Sequence, residues 1–100
     1  MIFEVEMWMF EEGKIREVNV PDHEIANRTH QNLDLVFKYG QNDFQPQKLP
    51  SVSTGDVIRY ENKRYMVMGT GFKEVTEETD PANIKSREER ALKLIEWTLT

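Results

Sequence analysis

Cysteine is absent from this chain. Its absence excludes disulfides and thiolate metal sites, and it fits a reducing cytoplasm. Long apolar runs are missing too. Glu4 and Glu6 interrupt the apolar start, so neither a membrane span nor a signal peptide is expected. Histidine is scarce: His23 and His30 stand in a polar stretch with no third and fourth ligand at a known metal spacing, and they are read as surface residues. Positive charge is also short, 13 Lys and Arg against 18 Asp and Glu, for a net charge of −5. Sequence-independent nucleic-acid binding needs clustered cations, so this balance argues against it. No repeat, linker or low-complexity segment divides the chain. Residues 1–100 are expected to form one domain with a modest core.

What is present is strand and turn signal. Val57–Tyr60 and Arg64–Met68 are β-branched, aromatic and Met-rich runs on either side of a short connection. A two-residue loop at Asn62-Lys63 pairs Glu61 with Arg64, Tyr60 with Tyr65, Arg59 with Met66 and Ile58 with Val67. Ile58, Tyr60, Tyr65 and Val67 then share an apolar face; Arg59, Glu61 and Arg64 share a polar one. Ser53-Thr54-Gly55-Asp56 reads as the turn that launches this hairpin, not as a nucleophile loop, because no His or Cys stands near to activate a hydroxyl. Gly69-Thr70-Gly71 reads as a bend and not a phosphate loop, since Phe72–Val75 continues as strand where a phosphate loop would open a helix. No cofactor is implied.

Ile2–Phe10 alternates, and Lys14–Val20 returns after a turn at Glu12-Gly13. The expected pairing sets Phe10 against Ile15, Trp8 against Glu17, Met7 against Val18 and Val5 against Val20. The core face is then Val5, Met7, Val18 and Val20, with Trp8, Phe10 and Ile15 gathered on the opposite face as an apolar patch that another element or a partner must cover. Pro21 ends the strand. Thr29 is a candidate N-cap for a short helix carrying Leu33, Val36 and Phe37 on one stripe and ending at Gly40. Phe44 and Leu49 are expected to anchor the irregular segment that follows, kept extended by Pro46 and Pro50. Near the end, Asp80-Pro81 breaks the strand, and Ser86 with Glu89 forms a capping box. The helix it opens places Ala91, Leu92, Ile95 and Leu99 on one stripe, flanked by Leu94 and Trp97. That stripe is expected to be core and to cover Trp8, Phe10 and Ile15. Glu89 and Lys93 are expected to pair on its wet side.

The architecture that follows is α+β: two antiparallel hairpins forming one sheet or a small barrel, a short central helix and a C-terminal amphipathic helix.

Leu33-Asp34-Leu35-Val36-Phe37, Asn42-Asp43-Phe44, Ser51 through Ile58, Tyr65 and Gly71-Phe72-Lys73-Glu74-Val75 together resemble the YodL-like small proteins of bacteriophages, plasmids and other mobile elements. The resemblance covers less than half of the chain, and both the polar insert before the first helix and the C-terminal helix depart from it. It implies a viral or mobile-element origin and carries no catalytic residues.

Three function classes follow. The first is a non-enzymatic binding protein acting on a host or phage protein through Trp8, Phe10 and Ile15, because aromatic anchors ringed by charge suit protein interfaces. The second is a nucleic-acid module, with Arg59, Lys63, Arg64 and Lys73 as a basic strip and Tyr65 or Phe72 as stacking platforms; Gly55-Asp56-Val57-Ile58 is similar to strands of PUA-like and ASCH-like barrels. The third is an enzyme, which lacks parts: Glu77 and Glu78 are adjacent in an acidic turn and do not converge on one substrate.

Overall fold

The structure, a computed structural model, describes residues 1–41 and 49–99. Phe44 and Pro46, expected to order the segment before the second hairpin, lie outside the described residues. Among the described residues there are five strands: β1 (Ile2–Met7), β2 (Lys14–Asn19), β3 (Val57–Tyr60), β4 (Lys63–Met68) and β5 (Gly71–Glu74). Two α-helices accompany them, α1 (Thr29–Tyr39) and α2 (Arg87–Leu99), with short 3-10 turns at Asp22–Glu24, Glu77–Thr79 and Pro81–Asn83. The strands form one open antiparallel sheet in the order β2-β1-β3-β4-β5. The two hairpins therefore join edge to edge, through Val5 opposite Ile58 and Glu6 opposite Val57.

Both hairpins keep the expected faces and change the expected partners. In the second, the loop is Glu61-Asn62, not Asn62-Lys63. Both residues take positive φ, +48° and +66°, as a tight two-residue hairpin turn requires. Tyr60 then faces Lys63, Arg59 faces Arg64, and Ile58 faces Tyr65. In the first, β1 stops at Met7, and a longer turn leads back. Met7 carbonyl accepts the N–H groups of Glu11 (3.2 Å) and Gly13 (2.9 Å). Val5 faces Arg16 instead of Val20, and Ile15 faces Glu6 instead of Phe10. Each slip is by an even number of residues. Side chains alternate with period two, so an even slip leaves every side chain on its own face, and only the turns fix the actual register.

The front face is the core. Phe3, Val5, Met7, Val18, Val20, Ile58 and Val67 are buried there against Leu33 and Val36 of α1 and Val52. Tyr60 stacks on Phe3 (centroids 5.9 Å apart) and meets Tyr65 edge-on (6.5 Å). Thr29 begins the helix as a helical residue and does not cap it; Arg28 precedes it without a side-chain cap. Asn32, just inside, fixes the entry instead. It accepts from Ala26 N–H (2.8 Å) and donates to Ala26 carbonyl (2.9 Å) and to the Tyr60 hydroxyl (2.8 Å). Gly40 ends α1 with an ordinary negative φ of −78°. It is required for closeness: a Cβ there would stand 2.4 Å from Val52 Cγ2. Arg16 is a polar intruder on this face, buried, donating to the carbonyls of Gly40 (2.9 Å) and Pro50. Burial lowers its pKa, against the raising influence of Glu11 and Asp56. Leu49, expected to point inward, is exposed.

Asp56 ties the two hairpins together. It is fully buried and accepts from the backbone N–H groups of Met9 (3.1 Å) and Ser53 (2.8 Å). Burial pushes its carboxyl upward, against the lowering effect of those donors.

Candidate partner-binding face

The back of the sheet carries Glu4, Glu6, Ile15, Val57, Arg59, Arg64, Met66 and Lys73 by the alternation of the paired strands. Val57 and Met66 are fully buried, so this face is covered as well. At its centre Arg59 and Arg64 stand directly opposite one another, a like-charge pair that is unfavourable alone. Glu6 on the neighbouring strand resolves it. Its Oε2 accepts from Arg59 Nε (3.0 Å) and Arg64 Nε (2.9 Å); its Oε1 accepts from Arg64 Nη2 (2.7 Å) and Trp8 Nε1 (2.9 Å). Arg64 also grips Asp80 with both terminal nitrogens, at 2.6 and 3.0 Å, and Asp80 caps the following 3-10 turn through Ala82 N–H (2.9 Å). Arg59 reaches Glu4 at 3.3 Å.

Burial alone would push the Glu6 carboxyl up, but donation from Arg64, Trp8 and Arg59 outweighs it and holds the pKa below the ordinary carboxylate value. Asp80 behaves alike: burial raises it, and Arg64 and the Ala82 N–H bring it below the usual value. Arg64 is shifted well upward by Glu6 and Asp80, and Arg59 upward by Glu6. An open groove runs over this cluster, bordered by Glu4, Glu6, Trp8, Arg59, Arg64 and Ala82. Its charged groups are spent on each other, which makes it a staple between β1, β3, β4 and the loop after β5. Sequence reading missed Glu6 as the hub, because its partners lie 53 and 58 residues away. A visible signal was a glutamate on an alternating strand with no helical neighbour to pair with.

The expected basic strip is therefore divided. Arg59 and Arg64 are held by carboxylates, and Lys63 stands on the front side, 3.6 Å from Glu74. Tyr65 packs against the core face, and Phe72, which faces Val67 on β5, does the same. Lys73 is on the back face opposite Met66. His30 lies near Phe72, with ring centroids 6.4 Å apart, and His23 sits in the Asp22–Glu24 turn. Among the described residues no group of three or more His, Asp or Glu side chains could hold a metal ion.

Trp8, Phe10 and Ile15 do not form the expected patch under leucines. Trp8 and Phe10 belong to the turn after β1, while Ile15 lies on β2, 37% exposed. The Trp8 ring lies on Gly13, where a Cβ would come within 2.5 Å of it; Gly13 also takes a φ of +83°, which a side chain would strain. The ring is covered from α2 by the Arg90 guanidinium, 5.6 Å from its centroid. Arg87 sits 4.9 Å over Phe10, which remains 56% exposed.

Arg90, not the leucine stripe, is the anchor of α2. It is buried, donates to Ile84 carbonyl (2.8 Å) and pairs with Glu12 (2.9 Å). One turn on, Leu94 reaches Gly55 beside Met9, and Trp97 borders the β4–β5 turn. Positions 90, 94 and 97 make the inner face of the helix. The expected stripe is turned outward: Leu92, Ile95 and Leu99 are 68%, 61% and 82% exposed. The helix is apolar on two faces, and the back of the sheet, rich in charge with one aromatic ring at hand, selects the face that begins with an arginine. Ser86 accepts from Glu89 N–H at 3.1 Å, as a cap should. Lys93 pairs with Glu96 (3.2 Å), not with Glu89.

No family model matches the chain, and neither a curated protein nor a solved structure is similar to it. Among the described residues no helix is long and apolar enough to cross a membrane.

Proposed function

We propose that this protein is a non-enzymatic binding protein that acts on a protein partner through the outer face of α2. The observation that carries this reading is the exposure of Leu92, Ile95 and Leu99 on one side of a helix whose other side is already docked. Spaced i, i+3 and i+7, they are anchors of the kind an amphipathic helix offers a groove or another helix. Water-facing apolar side chains grouped on one ridge mark interaction surfaces more often than isolated ones do. Phe10, exposed beneath Arg87 at the start of the same helix, replaces the Trp8, Phe10 and Ile15 patch as the aromatic part of the surface. The resemblance of residues 33–75 to YodL-like proteins supports a phage or mobile-element source, with a host or phage protein in the cytoplasm as the target.

Affinity capture from host lysate tests this. The wild-type chain retains a defined partner, and Leu92→Ser with Ile95→Ser loses it while circular dichroism stays unchanged. Identical retention by both chains would reject the outer face of α2 as the binding surface.

A further inference from the structure

We infer that the outer face of α2 takes a basic amphipathic helix of another protein. This rests on the protein-binding reading above and adds the chemistry of the partner. Six of the thirteen residues of α2 are charged, and their placement is uneven. At 100° per residue, Glu88 and Glu96 fall within about 40° of Leu92 on the helix circumference, and Glu89 within about 60°. Three carboxylates thus flank the exposed ridge. The cations lie elsewhere: Arg90 is turned inward to Trp8 and Glu12, and Arg87 lies over Phe10. Lys93 alone stands beside the ridge, held by Glu96 at 3.2 Å.

The face is therefore an apolar ridge bordered by an excess of negative charge, on a chain whose net charge is −5. A second copy of the chain would bring the same glutamates together, and like charges at an interface oppose association. An anionic bilayer would be repelled for the same reason. A helix with its own leucine ridge and flanking Lys or Arg meets both requirements: it buries Leu92, Ile95 and Leu99, and its cations fall beside Glu88, Glu89 and Glu96, as flanking charges do in coiled coils.

The probes are two labelled amphipathic peptides of about 18 residues, long enough for helical structure, with identical leucines and either lysine or glutamate flanks. Their binding to the full chain is followed by fluorescence anisotropy. The lysine peptide binds, the glutamate peptide does not, and raising the salt from low to several hundred millimolar weakens the complex roughly tenfold. Glu88→Lys, Glu89→Lys and Glu96→Lys together reverse the preference. Ile95→Glu makes the chain more acidic and nevertheless loses the peptide, which separates docking on the ridge from adhesion to any acidic surface. Undiminished binding to Ile95→Glu, or equal binding of both peptides, overturns the inference. So does a concentration-dependent dimer in sedimentation that Ile95→Glu dissolves. If Leu92→Ser with Ile95→Ser abolishes capture of a native partner and the three lysine substitutions do not, the protein-binding reading stands and the basic partner falls.

Discussion

The two faces of the sheet are covered by helices in opposite ways. On the front, α1 docks through Leu33 and Val36, and the polar intrusions Asn32 and Arg16 make hydrogen bonds to backbone carbonyls, Asn32 also to the Tyr60 hydroxyl. On the back, α2 docks through an arginine laid on a tryptophan, beside a cluster of two arginines and three carboxylates. Hydrophobic burial is non-directional and tolerates small shifts of a helix. Charge-assisted bonds are directional and fix its rotation. The back helix is thus held in one orientation by Arg90, and the face left over is apolar. The front supplies stability, and the back supplies orientation and a surface.

The largest effect that sharpens this contrast is in the core. Leu33→Ala should lower unfolding free energy by about 2–5 kcal/mol, the range for truncating a fully buried leucine, read from the denaturant midpoint. A loss under about 1 kcal/mol, at the surface level, would place the stabilising core elsewhere. On the back face, Glu6→Gln should cost about 1–3 kcal/mol, because it leaves Arg59 and Arg64 facing one another with weaker acceptors. Arg90→Leu should cost less, about 1–2 kcal/mol. Its partner Glu12 is exposed and is rehydrated when released, while the ring contact with Trp8 is only partly replaced. Tryptophan fluorescence reports that change directly, and an unmoved emission maximum would break the assignment of Arg90 as the anchor.

Acid should act through the same back-face cluster. Glu6 and Asp80 have folded pKa values below their ordinary ones, so their contribution is complete above the ordinary carboxylate range and is lost as pH falls through the lowered folded values. Asp56 has the opposite sign. Its raised folded value means that protonation favours the folded state, and that contribution disappears as pH rises through that value. Stability measured against pH should therefore fall steeply on the acid side in the wild type and less steeply in Glu6→Gln. Equal acid slopes would show that Glu6 is not the hub. The smallest effect belongs to the outer ridge: Leu92→Ser should change stability by no more than about 0.5 kcal/mol, as exposed substitutions do. A core-sized loss there would mean the ridge is buried.

Much of this was legible in the chain. The period of two in Phe3, Val5 and Met7 and in Ile58, Tyr60, Tyr65 and Val67 assigned the core face, and the stripe of Leu33 and Val36 assigned the inner side of α1. The pairing was not legible. Alternation constrains a register only to even or odd, and choosing Asn62-Lys63 over Glu61-Asn62 requires knowing which residues bear positive φ. The role of Arg16 was not legible either, because nothing local announces that Gly40 and Pro50 will aim their carbonyls at it.

By itself, the sequence determined the α+β class, the faces of the strands and the positions of both helices, since these follow from local periodicity and turn chemistry. Only the tertiary structure decided which side of α2 meets the sheet and which residue neutralises Arg59 and Arg64. Those choices rest on contacts between residues more than fifty positions apart, such as Glu6 with Arg59 and Arg90 with Glu12. A helix apolar on two sides satisfies its own periodicity in either orientation. Only the charge and shape of the surface beneath it distinguish the two.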